Sequence, residues 1–365
     1  MKREWYELEN VNAVDSPALI VFPERVKVNI AKAIALTGSP NRLRPHVKTH
    51  KSAEVTQFCL EAGITKFKCA TIAEAEMLAQ LQTPDVLISY QLTGPKLRRY
   101  VQLINSYPKT TFSSLIDNEE SLDELISLSK KESIKFNLFI DLDVGMHRTG
   151  IVPGPGATQL VKNAISNGLE LKGFQMYDGH IRDADLELRT EKSNICFQNV
   201  MNWISLQNIG HYELICGGSP TFTIHANRKE VICSPGTFVY WDYGYHSIPH
   251  TGDFLPAAVL ISRIISKPSN LICVDLGHKS VAAENNIDKR VYFLNAAGLK
   301  PIGQSEEHLV LEPAGNHSFK IGDVLYGLPY HICPTVALYD KVYTAEDNEI
   351  KSEWKNIART RKINI

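Results

Sequence analysis

The sequence has almost no net charge: 39 Lys and Arg stand against 40 Asp and Glu, leaving −1 over 365 residues. Without a basic field, nothing draws the whole chain onto nucleic acid or an anionic membrane. Long apolar runs are missing too. None approaches the roughly 18–20 residues a membrane helix needs, and the longest, AAVLISRIIS, is broken by Arg263. The first residues, MKREWYELENVN, lack the apolar core of a signal peptide. The seven cysteines are odd in number and scattered singly, with no CxxC and no secreted-scaffold spacing. A soluble, cytoplasmic protein in a reducing compartment is therefore expected. There is no internal repeat, no low-complexity tract and no long linker.

What is present is alternation. The length fits two domains, or a barrel with an appendage. From about 25 to 240, short apolar runs alternate with amphipathic stretches. Strands are expected at 42–47, 66–70, 85–90, 111–116, 135–142, 170–177, 213–218 and 230–236. Helical patterns cover 24–38, 52–63, 71–82, 94–106, 118–131 and 156–168, several opening on Ser, Thr or Asn. Eight strands read as a (β/α)8 TIM-like barrel over 12–248, with a doubly wound sheet as the rival. After about 250, short strand-like runs are separated by Pro, Gly and Asn. They read as a C-terminal all-β domain over 249–365, joined by residues 1–11.

A barrel places reactive groups just past the C-terminal ends of its strands. There lie Lys48, Thr71, Asp143, Arg148, Tyr177, His180, Gly217, Gly218, Ser219, Gly236 and Thr237. In LRPHVKTHKS (43–52), Pro45 keeps the chain extended. Alternation then gives Arg44, His46, Lys48 and His50 one face, and Val47, Thr49 and Lys51 the other. Basic neighbours would lower the Lys48 pKa and leave more neutral amine to attack a carbonyl. The plainer reading is a phosphate-binding or solvated basic patch. Lys51 would be a solvated lysine at a helix start. The turns CGGSPT (216–221) and SPGT (234–237) could cradle a phosphate after the last two strands, or be tight turns only. A lysine and a phosphate grip together suit pyridoxal 5′-phosphate (PLP). Arg148 could contact the cofactor ring or tie down a loop. Tyr177 could contact the ring, and His180 could be an acid or base, or structural. His331 and Cys333, two apart, would share one face of an extended segment and could ligate zinc with positions left open. SEEH (305–308) could add a ligand, or be an exposed turn.

RPHVKTHK, KCATIAEAEML, DVGMHRTG, YDGH, GGSPT, SPGT, DLGHK and HICPTV together resemble, in order from about 15 to 345, the D-threonine aldolase and metal-dependent D-serine dehydratase family of alanine-racemase-like, fold-type III PLP enzymes. The resemblance implies a PLP barrel, a β domain, a homodimer and a small D-amino acid substrate. It implies that Lys48 forms the Schiff base, and that His331 and Cys333 hold a divalent metal, zinc or alternatively manganese. Cysteine at 333 is similar to the dehydratases, and aspartate there to the aldolases. β-Elimination of water from a D-β-hydroxy amino acid is the expected reaction, with retro-aldol cleavage to glycine and an aldehyde as the alternative. The family's racemases use a C-terminal tyrosine, and no matching tyrosine can be placed here. The rival from another class is a non-catalytic PLP carrier.

Overall fold

The computed structural model describes residues 3–365. Strand β1 (Ala18–Val21) is wholly buried. Helix α1 (Pro23–Thr37) starts on a proline and stops at Gly38, whose φ of 76° closes it. Then come α2 (Ala53–Glu61), β2 (Lys66–Cys69), α3 (Ile72–Gln80), β3 (Asp85–Gln91), α4 (Pro95–Ser106), β4 (Thr111–Ile116), α5 (Glu119–Glu132), β5 (Asn137–Leu142), α6 (Pro155–Ser166), β6 (Glu170–Met176), α7 (Leu186–Ser205), β7 (Glu213–Cys216), α8 (Phe222–Ala226) and β8 (Val231–Cys233). Ser52, Thr71 and Asn118 cap α2, α3 and α5 with their side chains.

Strands β2 to β8 form one parallel sheet in sequence order. The strand expected at 42–47 is not a regular strand. Pro45 removes a donor from its middle, so it makes only single bridges, Leu43 to Cys233 and His46 to Lys68. Four backbone hydrogen bonds still close the ring: Arg44 N to Cys233 O (2.9 Å), His46 N to Pro235 O (3.0 Å), Val47 N to Lys68 O (2.9 Å) and Lys68 N to Pro45 O (2.8 Å). The barrel thus has seven regular staves and one bent one.

The sequence reading leaves 186–205 without a helix, yet α7 is the longest in the chain among the described residues. Its buried face includes Arg189 and Ser193, so the apolar period is broken. The Arg189 terminal nitrogens donate instead to the carbonyls of Asp183 (2.6 Å) and Pro249 (2.7 Å).

After the short helix α9 (Tyr243–His246) come β9 (Ala258–Ser266), β10 (Ile272–Val274), β11 (Val291–Phe293), β12 (Leu299–Gln304), β13 (Leu309–Pro313), β14 (Val324–Pro329), the short helix α10 (Ile332–Val336), β15 (Lys341–Glu346) and β16 (Glu349–Lys355). They build a second, mostly antiparallel sheet in the order β12-β13-β10-β9-β1-β15-β16, with β14 pairing β9 and β11. Strand β1 lies between β9 and β15. The β body therefore takes in residues 3–21 of the described chain, where the sequence reading assigns it only residues 1–11 and starts the barrel at 12. No described helix is long and apolar enough to cross a membrane.

Inside the barrel, Leu87, Leu115, Phe139 and Ile215 make an apolar layer. Arg44 lies at the N-terminal end, fully buried, bidentate on Asp85 (2.7 and 3.0 Å) and bonded to Glu213 (3.0 Å). Asp85 and Glu213 open β3 and β7. Removing Arg44 leaves two mostly buried carboxylates against one lysine, Lys66. Arg44→Met is expected to destabilise the fold by about 3 kcal/mol in denaturant titration. A loss well under about 1 kcal/mol would show that this cluster does not hold the barrel's base.

Candidate active site

The bent stave delivers Lys48 to the barrel mouth. Alternation holds only as far as His46. From Val47 the chain turns, with His50 N and Lys51 N both donating to Val47 O (3.2 and 2.9 Å). Arg44 therefore points to the opposite end of the barrel. His46 and His50 are buried imidazoles kept neutral. Burial, then the Lys48 and Lys68 charges, holds the His46 pKa well below its usual value, and burial takes His50 to about 3. The cationic neighbours expected for Lys48 on its own segment are thus absent. His46 instead accepts the Lys48 backbone N–H on Nδ1 (3.3 Å). Lys51 is not solvated either. It sits at φ 52° with its ammonium on the buried carboxylate of Glu74, tying the turn to α3.

Around the mouth lie the glycine turns. Gly217 has φ 75°, and a Cβ there would come within 2.6 Å of the His225 ring. A Cβ on Gly218 would meet the Tyr177 ring at 2.8 Å. At Gly236 it would meet His46 O at 3.0 Å and Thr49 Oγ1 at 3.1 Å. These are close backbone approaches beyond ordinary turns. Ser219 and Thr237 are buried beside them. The first turn is held by residues the sequence reading missed. Buried Asp178 accepts from Thr221 Oγ1 (2.7 Å) and pairs with His225 Nε2 (2.7 Å). Arg228 can only donate to His225 Nδ1 (2.6 Å), so Nε2 carries the proton that faces Asp178.

Tyr177 lies under the second glycine, with the Arg148 guanidinium 5.1 Å and the Lys68 ammonium 6.0 Å from its ring centre. Below them Asp141 accepts from Gln91 (3.0 Å), Thr149 (2.9 Å) and Gln175 (3.0 Å). Burial raises its pKa against these bonds. Asp141, Gln91 and Lys68 were also missed. The available signal was a polar residue inside an otherwise apolar strand, as in KFKC and NLFIDL.

His331 and Cys333 are not on an extended segment. His331 caps α10 and Cys333 lies in its first turn. They still converge, close enough for each side chain to shift the other's pKa. Cys333 Sγ is 3.1 Å from Thr49 Oγ1 and 3.7 Å from Thr237 Oγ1, so the β body reaches the turn that carries Lys48. Burial raises the Cys333 pKa, but the adjacent His331 side chain and the Lys48 charge outweigh it and leave the thiol below its usual value. His331 is the converse. Burial opposes its charge, yet Cys333 and Glu284 raise it to about 9. Glu284 bonds Nδ1 and leaves Nε2 free for a ligand. A soft sulfur and an oriented imidazole suit a divalent cation. Among the described residues no third His, Cys, Asp or Glu joins them, so such a cation keeps open positions.

The remaining expected residues sit further out. His180 is exposed at the rim, against Gly145. Asp143 shapes its own loop, accepting from Gly145 N and His147 N. Thr71 caps α3 through the N–H of Glu74. The SEEH segment is a surface turn whose Glu306 and Glu307 pair with Lys279.

The family model for the alanine racemase N-terminal domain matches residues 23–244, and a second, for a serine dehydratase domain, matches 257–345. The chain is similar to a 3-hydroxy-D-aspartate aldolase of Paracoccus denitrificans, 25% identical over 95% of this chain and 92% of that one. It is 21% identical to a D-threo-3-hydroxyaspartate dehydratase of Delftia over 89% and 93% of the two chains. The crystal structure of a D-threonine aldolase from Filomicrobium marinum superposes with TM-score 0.87 at 22% identity, covering 96% of each chain.

Gly217→Ala forces both a positive φ and a clash with His225. It is expected to weaken binding of a phosphorylated ligand at least tenfold in fluorescence titration. Gly315→Ala, which meets nothing within 4 Å, serves as the control. Equal binding by both variants would remove the turn from the site.

Proposed function

The chain belongs to the alanine racemase N-terminal domain family, and on that footing we propose that it is a PLP- and metal-dependent lyase acting on small D-β-hydroxy amino acids. The observation that carries this reading is convergence. Lys48, Tyr177, the three crowded glycines and the His331–Cys333 pair meet at one barrel mouth although they lie up to 285 positions apart, as 333 minus 48 gives. A barrel that only carried the cofactor would have no use for the last pair.

In this reading PLP withdraws electrons from Cα, and a divalent cation, zinc before manganese, supplies Lewis acidity at the β-hydroxyl. Lys48 anchors the cofactor and moves the Cα proton. Gly217, Gly218, Ser219, Gly236 and Thr237 hold its phosphate through backbone and hydroxyl groups. Tyr177 and Arg148 orient the ring, and His46 holds the turn below it. His331 and Cys333 hold the cation, with Thr49 and Thr237 fixing the sulfur. Cysteine at 333 favours loss of water, giving an oxo acid and ammonia after hydrolysis. The 25% identity to an aldolase supports a second reading, in which His180 deprotonates the β-hydroxyl and Cα–Cβ cleavage gives glycine and an aldehyde. A cytoplasmic homodimer completes the proposal, which keeps residues 12–21 with the β body.

With PLP and zinc, D-serine, D-threonine and D-3-hydroxyaspartate are the substrates to offer. Oxo acid is expected. Glycine would establish the second reading, and no turnover of any would leave a carrier. Lys48→Ala is expected to lose the borohydride-fixed visible absorbance, and its retention after dialysis would sink Lys48 as the anchor. Metal binding has its own signature. His331, with its pKa raised to about 9, is protonated at pH 7–8 and must lose that proton to ligate. About one proton should be released per zinc in calorimetry across buffers, with affinity falling as pH falls below about 9. No proton release would contradict ligation by His331.

A further inference from the structure

Resting on the cofactor reading above, we propose that Lys68 is a second cofactor-contacting lysine, whose ammonium donates to an electron-rich atom on the edge of the bound pyridine ring. Lys68 lies on β2, between Phe67 and Cys69, and is only 3% exposed. Its backbone makes two of the four hydrogen bonds that close the barrel, so it is fixed directly beside the segment carrying Lys48. Its neighbour two residues earlier, Lys66, faces the same way and finds Glu213 at the barrel's base. Lys68 finds no such partner. Among the described residues no atom accepts a hydrogen bond from its Nζ, and no carboxylate lies within 4.0 Å.

On the closing segment are the cation Lys48, the neutral imidazole of His46, and Arg44, whose charge reaches Lys68 from the base, where it is paired with Asp85 and Glu213. Beyond β5 is the cation Arg148, and β5 itself presents Asp141. Asp141 is already taken up by Gln91, Thr149 and Gln175. Beyond β6 is the Tyr177 ring, 6.0 Å from Nζ. Burial, and then the Lys48 charge, brings the Lys68 pKa down to about 7. A buried ammonium among cations with no bonded acceptor is costly to keep. An anionic or lone-pair-bearing ligand seated over Tyr177 supplies the missing acceptor, and the pyridine nitrogen and phenolic oxygen have that chemistry. Lys68 thus acts on the electron distribution of the ring, a task apart from the covalent anchoring assigned to Lys48.

The test uses the full chain loaded with PLP and compares wild type with Lys68→Met and Lys68→Arg. Fluorescence titration reads PLP affinity, and a pH titration of the visible band reads the ring's charge environment. Lys68→Met is expected to bind PLP at least tenfold more weakly. The midpoint of its visible titration should move up by roughly one unit, because removing a nearby cation favours the protonated form. Lys68→Arg should recover part of both. A folded Lys68→Met with unchanged affinity and titration overturns the proposal. So does a lowered melting temperature with neither spectroscopic change, which assigns Lys68 to structure. If Lys68→Met does not fold, Lys68→Gln is read by the same measurements, and failure of both to fold also makes the residue structural. Wild type that takes up no PLP would defeat the reading of the preceding section. Wild type that binds, beside variants that bind equally, would defeat only this one.

Discussion

Pro45 sits where the barrel has to close. A proline cannot donate to a ladder, so the stave that contains it is reduced to two bridges and four backbone hydrogen bonds. Those bonds fix residues 44–47 between β2 and β8. The chain then turns at Val47, which lifts Lys48 out of the stave and onto the mouth. Lys51 and Glu74 lock the far side of the same turn against α3. The placement of the reactive amine is therefore a consequence of how the ring is closed, and the rest of the site is arranged around it.

Charge is layered along the barrel axis. At the base, Arg44 and Lys66 are matched by Asp85 and Glu213. The middle is apolar. Above it Asp141 is bonded by neutral side chains, and the mouth gathers Lys48, Lys68 and Arg148 with no carboxylate paired to them among the described residues. A protein that balances its buried charges at one end and leaves cations together at the other has room there for an anionic ligand. The glycine turns add backbone N–H groups to the same place, and Asp178, His225 and Arg228 hold one of them rigid.

The second sheet contributes through one short helix. In its first turn, beside His331, Cys333 meets Thr49 and Thr237 from two different barrel loops. Glu284 orients the imidazole from outside. The ion-pair character of the two side chains, one pKa lowered and the other raised, is set by their contact more than by their burial, which opposes both.

The sequence alone carried the alternation of strands and helices, the all-β tail, the glycine turns and the HxC pair. Each is a local signal: period, turn chemistry or spacing of two residues. It misplaced what depends on partners distant in the chain. Helix α7 was invisible because its buried face carries Arg189, whose terminal nitrogens bond the distant carbonyls of Asp183 and Pro249. The neighbours of Lys48 were misjudged because Arg44 turns to the base and both histidines are neutral through burial. Strand β1 joined the other sheet because its apolar residues pair with β9 and β15, more than 200 positions later. Lys68 read as one lysine among many in KFKC. Only the closed barrel, by removing water and surrounding it with cations and a saturated carboxylate, makes it a residue in need of a ligand.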